Sequence, residues 1–593
     1  MKNFLKAFFA SLTAMIIFGV IFFAILISMF SGLGSLFDFG TKEISMPSKA
    51  VLTIDMSQIV LQEQTQDPSI MEMIYGETPL QPMGTLDIIA AIDAASFDPA
   101  VQYIFMKPDA VTGGMAQVEE IRNALKRFRD CGKAVVSYIE NPTSSGYYLA
   151  SVSDKIYMTP HDGGLNLLHG LSSQMFFLKD ALDMLGINVQ LIRHGKYKSA
   201  GEMFVRNSSS KENMEQNQEM IDSMWESWCN EIAMARDLDA EDINRMLENL
   251  ELKSPADFLE KGLVDQLMSE DQLRDKLAVL YKTDSYKDVQ SIALQDYAML
   301  NDAGSPYGRD KIAVIFAEGN IIDGYSMADV AADRFVEIIQ NIRNDKDVKA
   351  VVLRVNSPGG SVLAAEKIKA QIDSLKNKVP VIASFGDYAA SGGYWISANC
   401  DYIYADKTTL TGSIGVFSLI PDLKSTLNDK LHVNVTSVNS NSHADMYDMM
   451  RPLTKEEVDH MQNYVEHIYD RFTSIVAEGR GMSVSTADSL GQGRVWTGAQ
   501  AADNGLVDAI GGIDAALIHA AMLTGNENGF DNIKVEVYPK PLTNMDIITS
   551  LITGQPPVQI AEPLKSIYRA FNSWNESQSG KVYARLPYAI DIR

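Results

Sequence analysis

The sequence predicts an α/β protein made of two tandem copies of one unit, preceded by a single N-terminal transmembrane helix. Three observations carry this: four matched segments at near-constant spacing, strand and helix patterns alternating within each copy, and one uncharged apolar run near the N-terminus. At 593 residues the chain exceeds what one hydrophobic core holds. With 46% hydrophobic and 21% charged residues it has an ordinary globular composition, which excludes wholesale disorder. Its 51 basic and 76 acidic residues leave a net charge of −25, which repels phosphate, so no nucleic-acid partner is expected. Cys131, Cys229 and Cys400 contain no C-x-x-C pair and are too few for a disulfide framework.

The transmembrane helix comes first. No charged residue lies between Lys6 and Asp38, and the centre, AMIIFGVIFFAILISMF from Ala14 to Phe30, is long enough with its flanks to cross about 30 Å of hydrocarbon. Lys2, Lys6 and the terminal amine lie on one side, which keeps the N-terminus cytoplasmic and exports everything from about residue 40 onward. A cleaved secretory signal is the alternative. Its apolar region spans only about 7–15 residues and ends in a small-x-small site, and SMFSGLGSLF offers no clear one. Export also removes nucleotide pools from reach, and no G-x-x-x-x-G-K-[ST] is present.

The duplication is read from matched segments. VVSYIENPTSSGYYLAS (135–151) matches VIASFGDYAASGGYWIS (381–397) at an offset of 246, placing Ser145 on Ser391. DKIYM (154–158) matches DYIYA (401–405), GINVQLI (186–192) matches HVNVTSV (432–438), and EKGLVDQL (260–267) matches DNGLVDAI (503–510). Such order marks a repeat. In the second copy KIAVIFAEGNII, KAVVLRV, PVIASF and DYIYAD read as strands. MADVAADRFVEIIQNIRND and SVLAAEKIKAQIDSLKN read as helices, and a further helix starts at the glycines after Ser391. This alternation predicts mostly parallel sheets. The expected organisation is an anchor at 1–40, a first repeat at 41–300, a linker at 301–311, a second repeat at 312–545 and a tail at 546–593 of open role.

Chemistry is sought where the copies differ. VLRVNSPGGSV (352–362) ends a strand in a turn whose glycines bare backbone N–H groups, donors worth about 3–4 kcal/mol each to an oxyanion. The first copy keeps only Gly113-Gly114 there. In AASGGYW (389–395), Ser391 enters a helix through glycines, where a nucleophile and an ordinary N-cap are both at home. The eight histidines form no triad pattern, and neither G-x-S-x-G nor H-E-x-x-H occurs. The remaining base is a lysine desolvated until neutral. Lys198, in GKYKSAGE, corresponds to Ala444 at offset 246, so the first copy holds the lysine and the second the serine. Ser208-x-x-Lys211 reads as a capped helix start, and Trp225 and Trp228 as helix packing.

GKYKSAGE, NSPGGSV, AASGGYW and TLTGSIGVF (409–417), in that order, resemble the signal peptide peptidase A (protease IV) family in its long tandem-repeat form, within the Clp-protease/crotonase superfamily. The resemblance covers nearly the whole chain and implies a serine endopeptidase with a Ser/Lys dyad. Ser391 is the implied nucleophile and Lys198 the implied general base, with the N–H groups of Gly360 and Gly392 as oxyanion donors and Ser413 orienting the lysine. It further implies cleaved signal peptides and other hydrophobic or unfolded chains as substrates, and no metal or cofactor. The implied assembly is a homotetramer on the periplasmic side of a bacterial inner membrane, held in the bilayer by the N-terminal helix. The competing readings are a crotonase-type acyl-CoA enzyme and an inactive membrane quality-control scaffold.

Overall fold

The computed structural model describes residues 44–66, 80–302, 309–525, 533–540 and 583–585. The expected anchor, most of the tail and the middle of the linker lie outside the described residues. Among the described residues no helix is long and apolar enough to cross a membrane. From Pro47 onward the chain forms one compact unit.

Its first half alternates as predicted: β1 (Ala50–Asp55), α1 (Thr85–Phe97), β2 (Val101–Lys107), α2 (Met115–Asp130), β3 (Ala134–Ile139), α3 (Ser144–Ala150) and β4 (Lys155–Met158). Then follow β5 (Asn188–His194), the long α4 (Lys211–Arg236), β6 (Gln266–Leu267) and β7 (Ser291–Ala293). Six of these strands build a parallel sheet in the order β6-β4-β3-β2-β1-β7. β5 stands outside it.

The second half repeats the plan with β8 (Asp310–Glu318), β9 (Ile321–Ile322), α5 (Ala332–Asn344), β10 (Val348–Ser357), β11 (Gly359–Ser361), α6 (Val362–Lys376), β12 (Val381–Ala390), α7 (Gly392–Ser397) and β13 (Tyr402–Ala405). It continues with β14 (Leu410–Gly412), β15 (Val416–Asp422), α8 (Lys455–Arg480), β16 (Val495–Thr497), β17 (Ala509–Ile510), α9 (Ile513–Leu523) and β18 (Ile533–Tyr538), and β19 (Tyr583–Arg585) lies near the C-terminus. The order β16-β14-β12-β10-β8-β18 runs through the larger sheet, with β13 and β17 branching from β12. The run VKAVVLRVNS of β10 is nearly all buried because parallel neighbours flank both edges and helices cover both faces. The predicted helix from Met327 begins only at Ala332, because Val330–Ala331 pair instead with β9.

A third sheet joins the halves. β5 of the first repeat runs antiparallel to β15 of the second, from Asn188 opposite Asp422 to His194 opposite Val416. β19 lies antiparallel to β11 and bridges to β15 at Phe417. The two stretches matched in sequence part company here: 188–194 forms β5, whereas 432–438 joins no sheet. As expected, Ser210 caps α4 through the Asn213 N–H, and Trp228 is buried against Tyr148, their rings stacked at 4.3 Å.

Candidate active site

Buried β12 delivers Ser391 to the start of α7 in a backbone conformation of φ 55°, ψ −110°. Such a conformation costs a non-glycine residue about 1–3 kcal/mol and persists only where its surroundings impose it. Here the Ser391 N–H donates to the Gly412 carbonyl at 2.8 Å, while its carbonyl accepts from the Trp395 N–H at 2.8 Å. A Cβ on Gly393 would stand 2.7 Å from the Ser357 carbonyl oxygen, so the second glycine is what lets β10 pass so close. Ser391 occupies the N-cap position without capping: its hydroxyl makes no bond to the helix.

That hydroxyl faces Lys198. The lysine follows β5 through a turn at Gly195, its carbonyl held by the Arg193 guanidinium at 2.7 Å. Lys198 is completely buried, and its Nζ lies 2.8 Å from Ser391 Oγ, 3.0 Å from the Ser413 carbonyl oxygen and 3.0 Å from Ser413 Oγ. Burial alone pushes its pKa well below the ordinary lysine value. A neutral amine has two N–H donors and one lone pair. In that neutral state, donation to the Ser413 carbonyl and hydroxyl would leave the lone pair for the Ser391 O–H. No histidine among the described residues bonds this serine.

Gly360 lies in β11 opposite Ala584, and β11 packs against α7, whose first residue is Gly392. The first-turn N–H groups of a helix have no intrahelical acceptor, so Gly392 presents a donor beside Ser391. β19 also packs against α7, so a stretch of this chain lies as a strand along β11 beside the serine.

The first copy differs in register from the sequence match. Tyr147 Oη donates to Leu263 O at 2.6 Å as Tyr394 Oη donates to Leu506 O at 2.7 Å, an offset of 247 rather than 246. The counterpart of Ser391 is therefore Ser144 and not Ser145, because the first copy is one residue shorter between the strand and the helix. Ser144 Oγ donates to the Gly170 carbonyl at 2.8 Å, and Thr143 caps the helix. Among the described residues no lysine bonds either serine.

Two features escaped the sequence reading. The turn Gln492-Gly493-Arg494 clamps the lysine: Gln492 O accepts from the Tyr197 N–H at 2.9 Å, the Gly493 N–H donates to Ile414 O at 2.7 Å, and Arg494 O accepts from the Ser413 N–H at 2.7 Å. A Cβ on Gly493 would fall 2.5 Å from the Lys198 backbone nitrogen. The second feature is a buried ionic cluster between the repeats. Arg354, wholly buried, donates to Glu63 at 2.7 Å and Glu120 at 2.8 Å, both from the first copy. Glu119 accepts from Thr408 Oγ1 at 3.0 Å, and Asp387 from the Ala116 N–H at 2.9 Å. Burial raises the carboxyl pKa of Glu119 and, outweighing Arg354, that of Glu120, lifts Asp387 to about 6 and holds Asp406 well above the usual range. Both Asp406 carboxyl oxygens are buried without a hydrogen-bond partner. A glycine turn and acidic residues scattered over 340 positions carry no local pattern that marks them in advance.

A buried serine at a strand-to-helix junction, facing a buried amine on sheets of this topology, defines the class: a serine peptidase of Clp-protease-like α/β architecture. The model of "Peptidase family S49" matches residues 127–284 and 373–526, one stretch in each copy, and that of "Clp protease" matches 304–403. The chain is 34% identical to "Protease 4" of Haemophilus influenzae over 531 residues, covering 87% of this chain and 85% of that one. "Protease 4" of Salmonella typhi is 32% identical over 541 residues, covering 88% and 85%. A protein of Enterococcus faecium provisionally named a signal peptide peptidase is 40% identical over 185 residues, covering 31% and 53%. The chain belongs to peptidase family S49, as a tandem-repeat member of the protease 4 type, and is a serine protease.

Proposed function

We propose that this chain is a membrane-anchored endopeptidase in which Ser391 is the nucleophile, Lys198 the general base and Ser413 the residue that orients the lysine. The single observation behind this is the wholly buried Lys198 amine, 2.8 Å from Ser391 Oγ with no acidic partner. Neutral Lys198 accepts the Ser391 proton as Oγ attacks a peptide carbonyl. The N–H groups of Gly360 and Gly392 receive the oxyanion, lysine returns the proton to the leaving amine, and water then releases the acyl-enzyme.

Cleaved signal peptides and other short hydrophobic or unfolded chains are the proposed substrates. The slot where β19 lies between β11 and β15 suits an extended backbone and excludes a folded one. The name of the Enterococcus faecium relative points the same way. The uncharged run through Ala14–Phe30 is the proposed single-pass anchor in a bacterial inner membrane, with the catalytic body on the periplasmic side as a homotetramer. An acyl-CoA enzyme of the same fold class has no use for the buried lysine. Labelling with a fluorophosphonate tests the assignment: the adduct forms on Ser391 and is lost in Ser391→Ala, while Ser144→Ala and Ser145→Ala label and hydrolyse peptides as before. Hydrolysis that survives Ser391→Ala overturns it.

A further inference from the structure

Two stretches of this chain are charge-free yet join no sheet among the described residues. Residues 429–444 are exposed throughout, and 431–444 contain no Asp, Glu, Lys or Arg although 21% of the chain is charged. Leu431, Val433, Val435 and Val438 stand out to solvent there, Val438 at 96% exposure. Residues 171–177 alternate between half-buried and exposed positions, with Phe176 at 64%, inside a charge-free run from Gly163 to Leu178. Among the described residues no backbone hydrogen bond joins 171–177 or 434–440 to another strand. Soluble proteins guard exposed strand edges with charge, proline or bulges, and these two carry no such guard.

The duplication identifies what each is missing. Residues 434–440 are the counterpart of β5 at offset 246. Gly170-Leu171 and Leu178-Lys179 fall on Gly415-Val416 and Leu423-Lys424 at offset 245, which makes 171–177 the counterpart of β15. Within the chain β5 and β15 pair antiparallel over their whole length, and that joint buries every residue of β15. Each chain therefore keeps one unused strand of each kind.

We propose that residues 434–440 of one copy pair antiparallel with residues 171–177 of a second copy, repeating between chains the β5–β15 joint made within each chain. Transferring the register sets Val435 opposite Phe176 and Ser437 opposite Gln174. The two surfaces differ, so the contact is head-to-tail and propagates until rotation closes a ring. This inference rests on the multi-copy assembly of the proposed function and names its joint; the dyad does not depend on it.

The test uses the full chain in detergent with the exposed Cys131 replaced by serine. Under mild oxidation Gln174→Cys with Ser437→Cys should link chains into a covalent ladder, whereas either single variant should not. Gln174→Cys with Ser442→Cys, five residues out of register, should link roughly tenfold more slowly or less. Val435→Asp should lower the light-scattering mass toward one chain with an unchanged circular dichroism spectrum. A multi-chain mass without the 174–437 link overturns this joint and leaves the assembly standing. A single-chain mass for the unaltered protein overturns both, and a link formed within one chain overturns the head-to-tail pairing.

Discussion

Lys198→Met separates the lysine's chemistry from its cost. Methionine fills a similar volume in a wholly buried site but can neither accept the Ser391 proton nor bond Ser413. Losing the base should lower kcat/KM by about 10²–10⁴-fold or more. Stability should respond with the opposite sign. Folding lowers the lysine pKa, so between that value and about 10.4 the unfolded chain holds a proton that the folded chain does not. Wild-type stability then rises with pH through this window at about 1.4 kcal/mol per unit, whereas the methionine variant lacks the slope. The advantage of the variant is largest below the folded value, shrinks as pH rises and vanishes above about 10.4. A pH-independent loss of about 1–3 kcal/mol from the stranded serine hydroxyls lies beneath it. Paired denaturant melts from pH 6 to 10, with a fluorogenic peptide assay at pH 8, measure both. A stability difference that stays flat with pH refutes a neutral lysine, and retained turnover refutes its role as base.

Other consequences follow from the same geometry. The acidic limb of kcat/KM against pH should fall with protonation of Lys198, at a pH well under that of an ordinary lysine; an onset near pH 10 would contradict a desolvated amine. Asp406→Asn should stabilise the protein increasingly as pH rises from about 4, because the folded carboxyl retains a proton that the unfolded one releases. Melts of the two proteins that run parallel across pH would show that Asp406 is ionised in the fold. Gly493→Ala should lower kcat about 100-fold with little change in KM, because its Cβ would lie 2.5 Å from the Lys198 nitrogen and shift the amine. An unchanged kcat would remove that turn from the machinery.

The α/β repeat and most of its strands were legible in the chain, because burial on both sheet faces writes apolar runs. Lost symmetry put the lysine in one copy and the serine in the other, and only the family resemblance implied that Ser391 and Lys198 pair. Ser144 was missed as the counterpart of Ser391, since a one-residue deletion hides behind the neighbouring match of Ser145 and Gly146. HVNVTSV has the pattern of a strand yet forms none within the chain, because pattern specifies a face and not the edge that completes it. Gly493 and the Arg354 cluster left no local signal, since Lys198, Glu63 and Glu120, which they meet across the repeats, lie hundreds of residues away.

Sequence alone determined the unit, its duplication and which residue types each copy supplies, because local patterning and lost symmetry are written residue by residue. Tertiary structure decided whether Ser391 is a cap or faces an amine, and how deeply that amine is buried. Both depend on β5 crossing to β15, which carries Lys198 out of its own repeat and buries it beside Ser391 with no acidic partner.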